Sequence, residues 1–306
     1  MCAVRMGYSG MGNYYGIARY LVLSKQIKSK TKKIIKLLVP QILIIAFKNI
    51  SKRNNLMWWG NYTSWETAMQ SADGYSKPQI LEKVRASVLK VKAGEAAYER
   101  DSVVFDKPQY PWPLIALLLQ ISIRHGNTLH VIDFGGSLGS TYFSCRTFLD
   151  GLKQWSWSVV EQEHFVSCGL KEVADERLQF FYTVEDALKE NSGRKVLLLS
   201  GVLQCLPNPY AWLNTLLDFG FEYVLIDRTP FLEQGADRLT LQYVPPAIYE
   251  AVYPSWFFNK DFFLKACRDK NYTAKLDFPS FVDNPCELED GIKVNWEGIL
   301  LKKDNA

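Results

Sequence analysis

The stretch VIDFGGSLGSTYF, Val131 to Phe143, decides how this chain is read. LHVIDF, residues 129–134, predicts a strand, and the residues after the glycines predict a helix over about 138–152. Between them lies D-F-G-G-S-L-G-S, Asp133 to Ser140. Such a turn either serves as a tight bend or lets the backbone approach a nucleotide-like ligand at the helix start.

Working outward, strands and helices alternate. Strands are expected at 157–161, 178–181, 195–200 and 222–227, with helices at about 163–174, 184–190 and 208–218. VLLL and YVLI are continuously apolar, as expected of strands covered on both faces. The alternation predicts an α/β fold: an open, doubly wound, mostly parallel sheet. A helix near 259–270 precedes YTAKLDF (272–278) and WEGILLKK (296–303), which can pair as an antiparallel hairpin closing one edge. Before the glycine turn, Ile80, Val84, Val88 and Val91 recur at helical spacing over 78–92. A second helix spans about 113–124, with Pro113 in its first turn and Gly126 stopping it. Residues 56–126 therefore read as a helical cap region, and 127–306 as the sheet domain.

Residues 1–65 hold eleven of the 36 Lys/Arg and none of the 32 Asp/Glu, so the net charge of +4 belongs to an N-terminal arm and the body is acidic. That argues against a nucleic-acid-binding body. Within the arm (1–55), the apolar run Ile34–Phe47 is too short to span a bilayer and is flanked by lysines. Residues 29–53 can lie as a helix on an anionic membrane surface, dock on the body, or form a partly disordered tail. Six scattered cysteines without a CxxC pair favour a reducing, cytoplasmic setting, and three histidines argue against a metal site.

Three strand ends carry polar groups suited to a nucleoside ligand. Gly135 and Gly139 allow reversal and close approach, Glu161 can accept two hydrogen bonds from a ribose diol, and Ser200-Gly201 end the strand in LLLSGVLQCLPNPYAWL. The turn resembles motif I of class I S-adenosylmethionine (SAM) methyltransferases, D/E-x-G-x-G-x-G, with Ser137 in place of the middle glycine. The series GNYTSWETA, GEAAYERDSVVFD, YPWPLIALL, VIDFGGSLGSTYF, VVEQE, SGVLQCLPNPY, YVLIDRTPF and YPSWFF resembles one family of SAM-dependent methyltransferases. That family occurs among bacterial genes for surface polysaccharides such as O-antigen and capsule.

The resemblance implies a Rossmann-like methyltransferase sheet, SAM as cofactor, and a small-molecule or glycan acceptor, including a lipid-linked intermediate. It implies a cofactor lining of Asp133, Gly135, Gly136, Ser137, Gly139, Glu161 and Ser200, joined by Gln162 and Gly201. Asp227, at the end of YVLID, is placed to act as a base, with Arg228 beside it; the two can equally form an ion pair that holds the loop. His164 is at a helix start and reads as a cap or surface residue more readily than a base. Tyr98, Arg100 and Asp101 lie in a segment able to fold over the cofactor, or on a solvated face. Trp256, with Tyr253, Phe257 and Phe258, can face an acceptor or fill the core, and Trp58, Trp59 and Trp65 suit either a bilayer interface or packing. A non-catalytic scaffold that keeps the fold, motivated by Ser137, and a nicotinamide-dependent enzyme are the competing readings.

Overall fold

The computed structural model describes residues 57–72, 78–190, 193–244, 251–281 and 285–304, all within a unit that runs from Leu56 to Ala306. The arm and its expected membrane-surface helix at 29–53 lie outside the described residues.

Strand β1 (Trp58–Tyr62) leads into helix α1 (Trp65–Met69), whose first turn is capped by the Ser64 hydroxyl accepting from the Thr67 N–H at 3.2 Å. Helix α2 (Pro78–Lys92) buries the expected Ile80, Val84, Val88 and Val91. A short hairpin of β2 (Tyr98–Arg100) and β3 (Val103–Phe105) precedes α3 (Trp112–Arg124). The alternating region follows: β4 (Thr128–Phe134), α4 (Ser140–Leu149), β5 (Gln154–Val160), α5 (Glu163–Cys168), β6 (Leu178–Phe181), α6 (Val184–Lys189), β7 (Lys195–Ser200), α7 (Pro209–Asp218) and β8 (Tyr223–Leu232). The chain continues through β9 (Arg238–Val244), β10 (Ala251–Asn259), α8 (Lys260–Asp269), β11 (Tyr272–Pro279), β12 (Cys286–Glu287) and β13 (Lys293–Lys303).

The main sheet runs β6-β5-β4-β7-β8-β13-β11. Its first five strands are parallel, whereas β13 is antiparallel to both β8 and β11. The expected C-terminal hairpin is therefore present. Because β4 pairs with both β5 and β7, the chain reverses its winding there, and the crevice beyond the carboxyl ends of β4 and β7 is the topological switch point. Helices cover both faces. Val196 and Leu198 of β7 face one core with α2–α5, while Leu197 and Leu199 face the other with α6–α8. This two-sided burial is the physical reason for the unbroken apolar run.

Two features depart from the sequence reading. Residues 56–126 are not only helical, because the aromatic strand β1 and the β2–β3 hairpin lie in them. Strand β8 also runs past its expected end at 227, to Leu232. Its first half pairs with β7 from Tyr223 to Asp227; its far end, Phe231 and Leu232, pairs with Phe258 and Asn259 of β10. Between these halves one extra residue enters β8: Thr229 pairs with Glu297 and Ile226 with Ile299, so Asp227 and Arg228 face Gly298 of β13. Beyond the bulge, β10, β9 and β1 form an antiparallel extension. Within it, Trp58 packs against Phe257 and Trp296, with ring centroids 6.1 and 5.6 Å away, and Trp59 and Trp65 pack against the apolar cluster around Leu239 and Leu241. These three tryptophans are packed within the fold.

Leu198 is fully buried in the central strand β7. Leu198→Ala should cost about 2–5 kcal/mol, read as a lower denaturant midpoint at unchanged slope.

Candidate active site

The glycine turn is built from backbone conformations that few side chains allow. Gly135 (φ +75°), Ser137 (+55°) and Gly139 (+87°) are all left-handed. A Cβ on Gly135 would sit 2.3 Å from Val202 Cγ2, and one on Gly136 would sit 2.5 Å from the Asp133 carboxyl. Gly135 is therefore required by space as well as by turn geometry, and Gly136 by space alone. The turn is pinned at both ends: the Gly135 N–H donates to Val160 O at 2.9 Å and the Gly139 N–H to Gly136 O at 2.9 Å. Ser137 is left-handed without being glycine, and its backbone N–H donates to the Glu161 carboxylate.

Asp133 lies beneath the turn and does not line the cavity described below. It is buried, and its Oδ2 accepts from Trp157 Nε1 at 2.9 Å. Burial pushes its carboxyl up to about 7, opposed by the Trp157 bond and reinforced by Glu161. Glu161 is half-buried, and its Oε2 accepts from the Gln162 N–H at 2.6 Å. Burial raises its carboxyl, and the N–H groups of Gln162 and Ser137 oppose the rise. Glu161, Gln162 and Gly139, expected in the cofactor lining, do not line the cavity; the Glu161 carboxylate is turned to the N–H groups of Gln162 and Ser137.

A cavity of about 260 Å³ opens at the switch point. One wall is the turn (Gly135, Gly136, Ser137) with Ser140, Thr141 and Ser144 of α4. A second is the end of β7, Ser200 and Gly201, with Gln204, Cys205 and the β8 bulge, Asp227 and Arg228. The hairpin residues Tyr98, Glu99, Arg100, Asp101 and Ser102 form a third. An aromatic wall of Trp58, Tyr253, Phe281 and Trp296, with Gln242 and Val244, completes it. Ten residues expected at the site therefore converge: Tyr98, Arg100, Asp101, Gly135, Gly136, Ser137, Ser200, Gly201, Asp227 and Arg228. Trp256 does not. It packs between apolar clusters and donates from Nε1 to Leu206 O at 3.2 Å, because alternation along β10 turns Tyr253 toward the cavity and Trp256 away. His164 lies in the first turn of α5, away from the lining.

The hairpin and the bulge are clasped together. Asp101 and Ser102 both have positive φ (50° and 68°), which makes the hairpin loop a two-residue type I′ turn. Arg228, itself at φ +50°, reaches Asp101 Oδ2 at 3.0 Å. Asp227 is buried, and its Oδ1 accepts from the Arg228 N–H at 2.9 Å. With Ser137, four non-glycine residues are thus held left-handed around one cavity, and strain of this kind gathers at functional sites.

Sequence reasoning selected the neighbours of Glu99 but not Glu99. It is only 3 % exposed; its Oε2 accepts from the Ser102 N–H at 3.3 Å, and its Oε1 has no hydrogen-bond partner among the described residues. Burial pushes its carboxyl up to about 7, and the Ser140 hydroxyl opposes the shift. The charge run Glu-Arg-Asp suggested a solvated face, and strand alternation was no guide, since the consecutive Tyr98 and Glu99 are both buried. Gln204 was also missed. Its Nε2 donates to Arg228 O at 3.1 Å, while its buried Oε1 has no partner. Burial pushes the Cys205 thiol up to about 12, which argues against a thiolate nucleophile here.

No known family model matches the chain. No curated protein matches it either. Among solved structures, a SAM-dependent methyltransferase from Methanosarcina mazei aligns over 64% of this chain and 99% of its own, at 11% identity and a TM-score of 0.43. The N-terminal domain of EvdMO1, with SAH and D-fucose, aligns over 72% and 96% at 8% identity and 0.41. The magnesium protoporphyrin IX methyltransferase of Synechocystis PCC 6803, with bound SAM, aligns over 76% and 87% at 11% identity and 0.39. At these values the likeness is distant.

Gly135→Ala should destabilise the protein by about 1–3 kcal/mol in chemical denaturation, since Ala must hold a left-handed φ against Val202. Glu99 supplies a pH signature. Its ordinary value is 4.5 and its folded value about 7, so between these pH values the unfolded chain ionises while the folded carboxyl keeps its proton. Stability is then lost as pH rises through that window and levels off above it. Thermal unfolding should show Glu99→Gln gaining on the parent from pH 4.5 to 7, with a constant difference above.

Proposed function

We propose that this chain is a SAM-dependent methyltransferase acting on a small-molecule acceptor, with a sugar or glycolipid of surface-polysaccharide synthesis as the favoured class. The observation that carries the reading is the cavity at the carboxyl ends of β4 and β7, where the left-handed glycine turn, Ser200-Gly201 and the β8 bulge converge. A doubly wound sheet binds nucleoside ligands at this place. The motif resemblance of the sequence supplies the kind of ligand.

The chain's groups fit such a cofactor. Gly135 and Gly136 present backbone to the cavity, and the opening of α4 offers N–H groups to a carboxylate. The Glu161 carboxylate, at the end of β5, suits a ribose diol. When bound, SAM supplies an electrophilic methyl group on a sulfonium. The remaining task of the protein is alignment and, for a hydroxyl acceptor, removal of a proton. Asp227 is buried in the cavity wall beside the strand end and is the candidate base, with Arg228 fixing the hairpin through Asp101. The aromatic wall of Trp58, Tyr253, Phe281 and Trp296 suits the apolar face of a sugar ring. The lysine-flanked arm would bring this activity to the inner membrane face, where lipid-linked glycans are assembled.

Calorimetry on the full chain tests the reading. S-adenosylhomocysteine should bind, NAD should not, and Glu161→Ala should weaken the binding at least about tenfold, as expected for loss of charged hydrogen bonds. A folded protein that binds neither SAM nor S-adenosylhomocysteine would remove the methyltransferase reading.

A further inference from the structure

Among the described residues, three side-chain oxygens in the cavity walls have no hydrogen-bond partner: the Ser102 hydroxyl and two carboxyl or amide oxygens, Glu99 Oε1 on the hairpin and Gln204 Oε1 after β7. Both side chains are buried, with Glu99 3 % and Gln204 5 % exposed. An unpaired buried acceptor costs about 1–3 kcal/mol, and an ionised one costs more, unless a ligand supplies the donor. Each side chain is held with its other polar atom occupied: Glu99 Oε2 by the Ser102 N–H and Gln204 Nε2 by Arg228 O. The two free oxygens therefore present a site for a group with several N–H donors and a positive charge. An ammonium, with three donors and no acceptor, meets that requirement.

We infer that Glu99 and Gln204 form the subsite for the ammonium of the ligand's α-amino-acid end, with Glu99 as its counter-ion. The inference rests on the SAM reading above, and it adds a residue from the β2–β3 hairpin to a site otherwise made by strand ends. Placement agrees with it. The hydroxyl of Ser140, the first residue of α4, lies near enough to Glu99 to favour its ionised form, so Glu99 stands next to the helix opening assigned to the ligand's carboxylate. The ammonium and carboxylate of an α-amino acid share one carbon, so their partners must be neighbours.

The charges acting on Glu99 are Asp101 of its own turn and Arg228 of β8. From α4 it meets the Ser140 hydroxyl, and α2 meets the hairpin through Ser87, whose hydroxyl donates to Ser102 O at 2.7 Å. With its carboxyl raised to about 7 by burial, Glu99 is partly protonated at neutral pH. Binding a cation favours the ionised form, so it releases a fraction of a proton to the buffer.

The test is calorimetric titration of the full chain and Glu99→Gln with S-adenosylhomocysteine and with 5′-methylthioadenosine, which lacks the amino-acid end. Titrations at pH 6, 7 and 8 in two buffers of different ionisation heat report protons released. The parent should bind S-adenosylhomocysteine more tightly as pH rises and release protons at pH 7, and 5′-methylthioadenosine should do neither. Glu99→Gln should weaken S-adenosylhomocysteine about ten- to a hundredfold, change 5′-methylthioadenosine less than about threefold, and abolish the proton release. Retained 5′-methylthioadenosine binding certifies the variant's fold, and the proton release of the parent needs no variant. Equal losses for both ligands, or tight S-adenosylhomocysteine binding without proton release, would overturn the ammonium subsite while leaving the SAM reading intact. A parent that binds neither ligand would overturn both.

Discussion

The bulge at Asp227–Arg228 in β8 is the constraint on which the rest of the site depends. Up to Asp227 the strand belongs to the parallel sheet, beside β7. After the extra residue it pairs with β10 and carries the antiparallel extension of β9 and β1. Because β7 stops at Ser200 and β10 takes over only at Phe231, a gap is left in the sheet where backbone and side chains of both halves are exposed to one cavity. The left-handed φ of Arg228 is the local cost of that change of partner, and the Asp101 carboxylate, which pairs with its guanidinium, helps to offset it.

The second element is the hairpin. It is small, yet it closes the cavity opposite the glycine turn and brings a buried acid to it. Glu99 and Asp133 are both carboxyls raised to about 7 by burial, but they do different work. Asp133 has Trp157 as a donor and sits under Gly136, where it supports the turn. Glu99 retains an unpaired oxygen and faces the space a ligand would take. A folded protein that leaves such an oxygen without a donor gives up stability, which is the usual balance at a binding site.

Much of the parallel sheet was legible in the sequence. KVLLLS, 195–200, coincides with β7, because a strand covered on both faces leaves an uninterrupted apolar record, and LQFF, 178–181, coincides with the edge strand β6, whose exposed Gln179 alternates with buried Leu178 and Phe180. Glycines 135 and 136 were legible for a similar reason, since the space left for them by Val202 and the Asp133 carboxyl admits no side chain. The antiparallel extension was not legible. The β8 run contains Asp227, Arg228 and Pro230, which read as the end of a strand, and only pairing with β13 and β10 holds the chain extended through them. The inward turn of Glu99 was hidden by the charges beside it, and the direction of Trp256 depended on a register that aromatic composition does not encode. Asp133 was expected in the cofactor lining and lies one layer deeper, because Gly136 folds over its carboxyl.

The measurement that bears most directly on this account is a crystal structure of the full chain grown with S-adenosylhomocysteine. The account predicts the ligand across the carboxyl ends of β4 and β7, its ribose at Glu161, its carboxylate at the opening of α4 and its ammonium at Glu99. A ligand bound elsewhere, or a cavity filled by the Glu99 and Arg228 side chains with the ligand excluded, would contradict it.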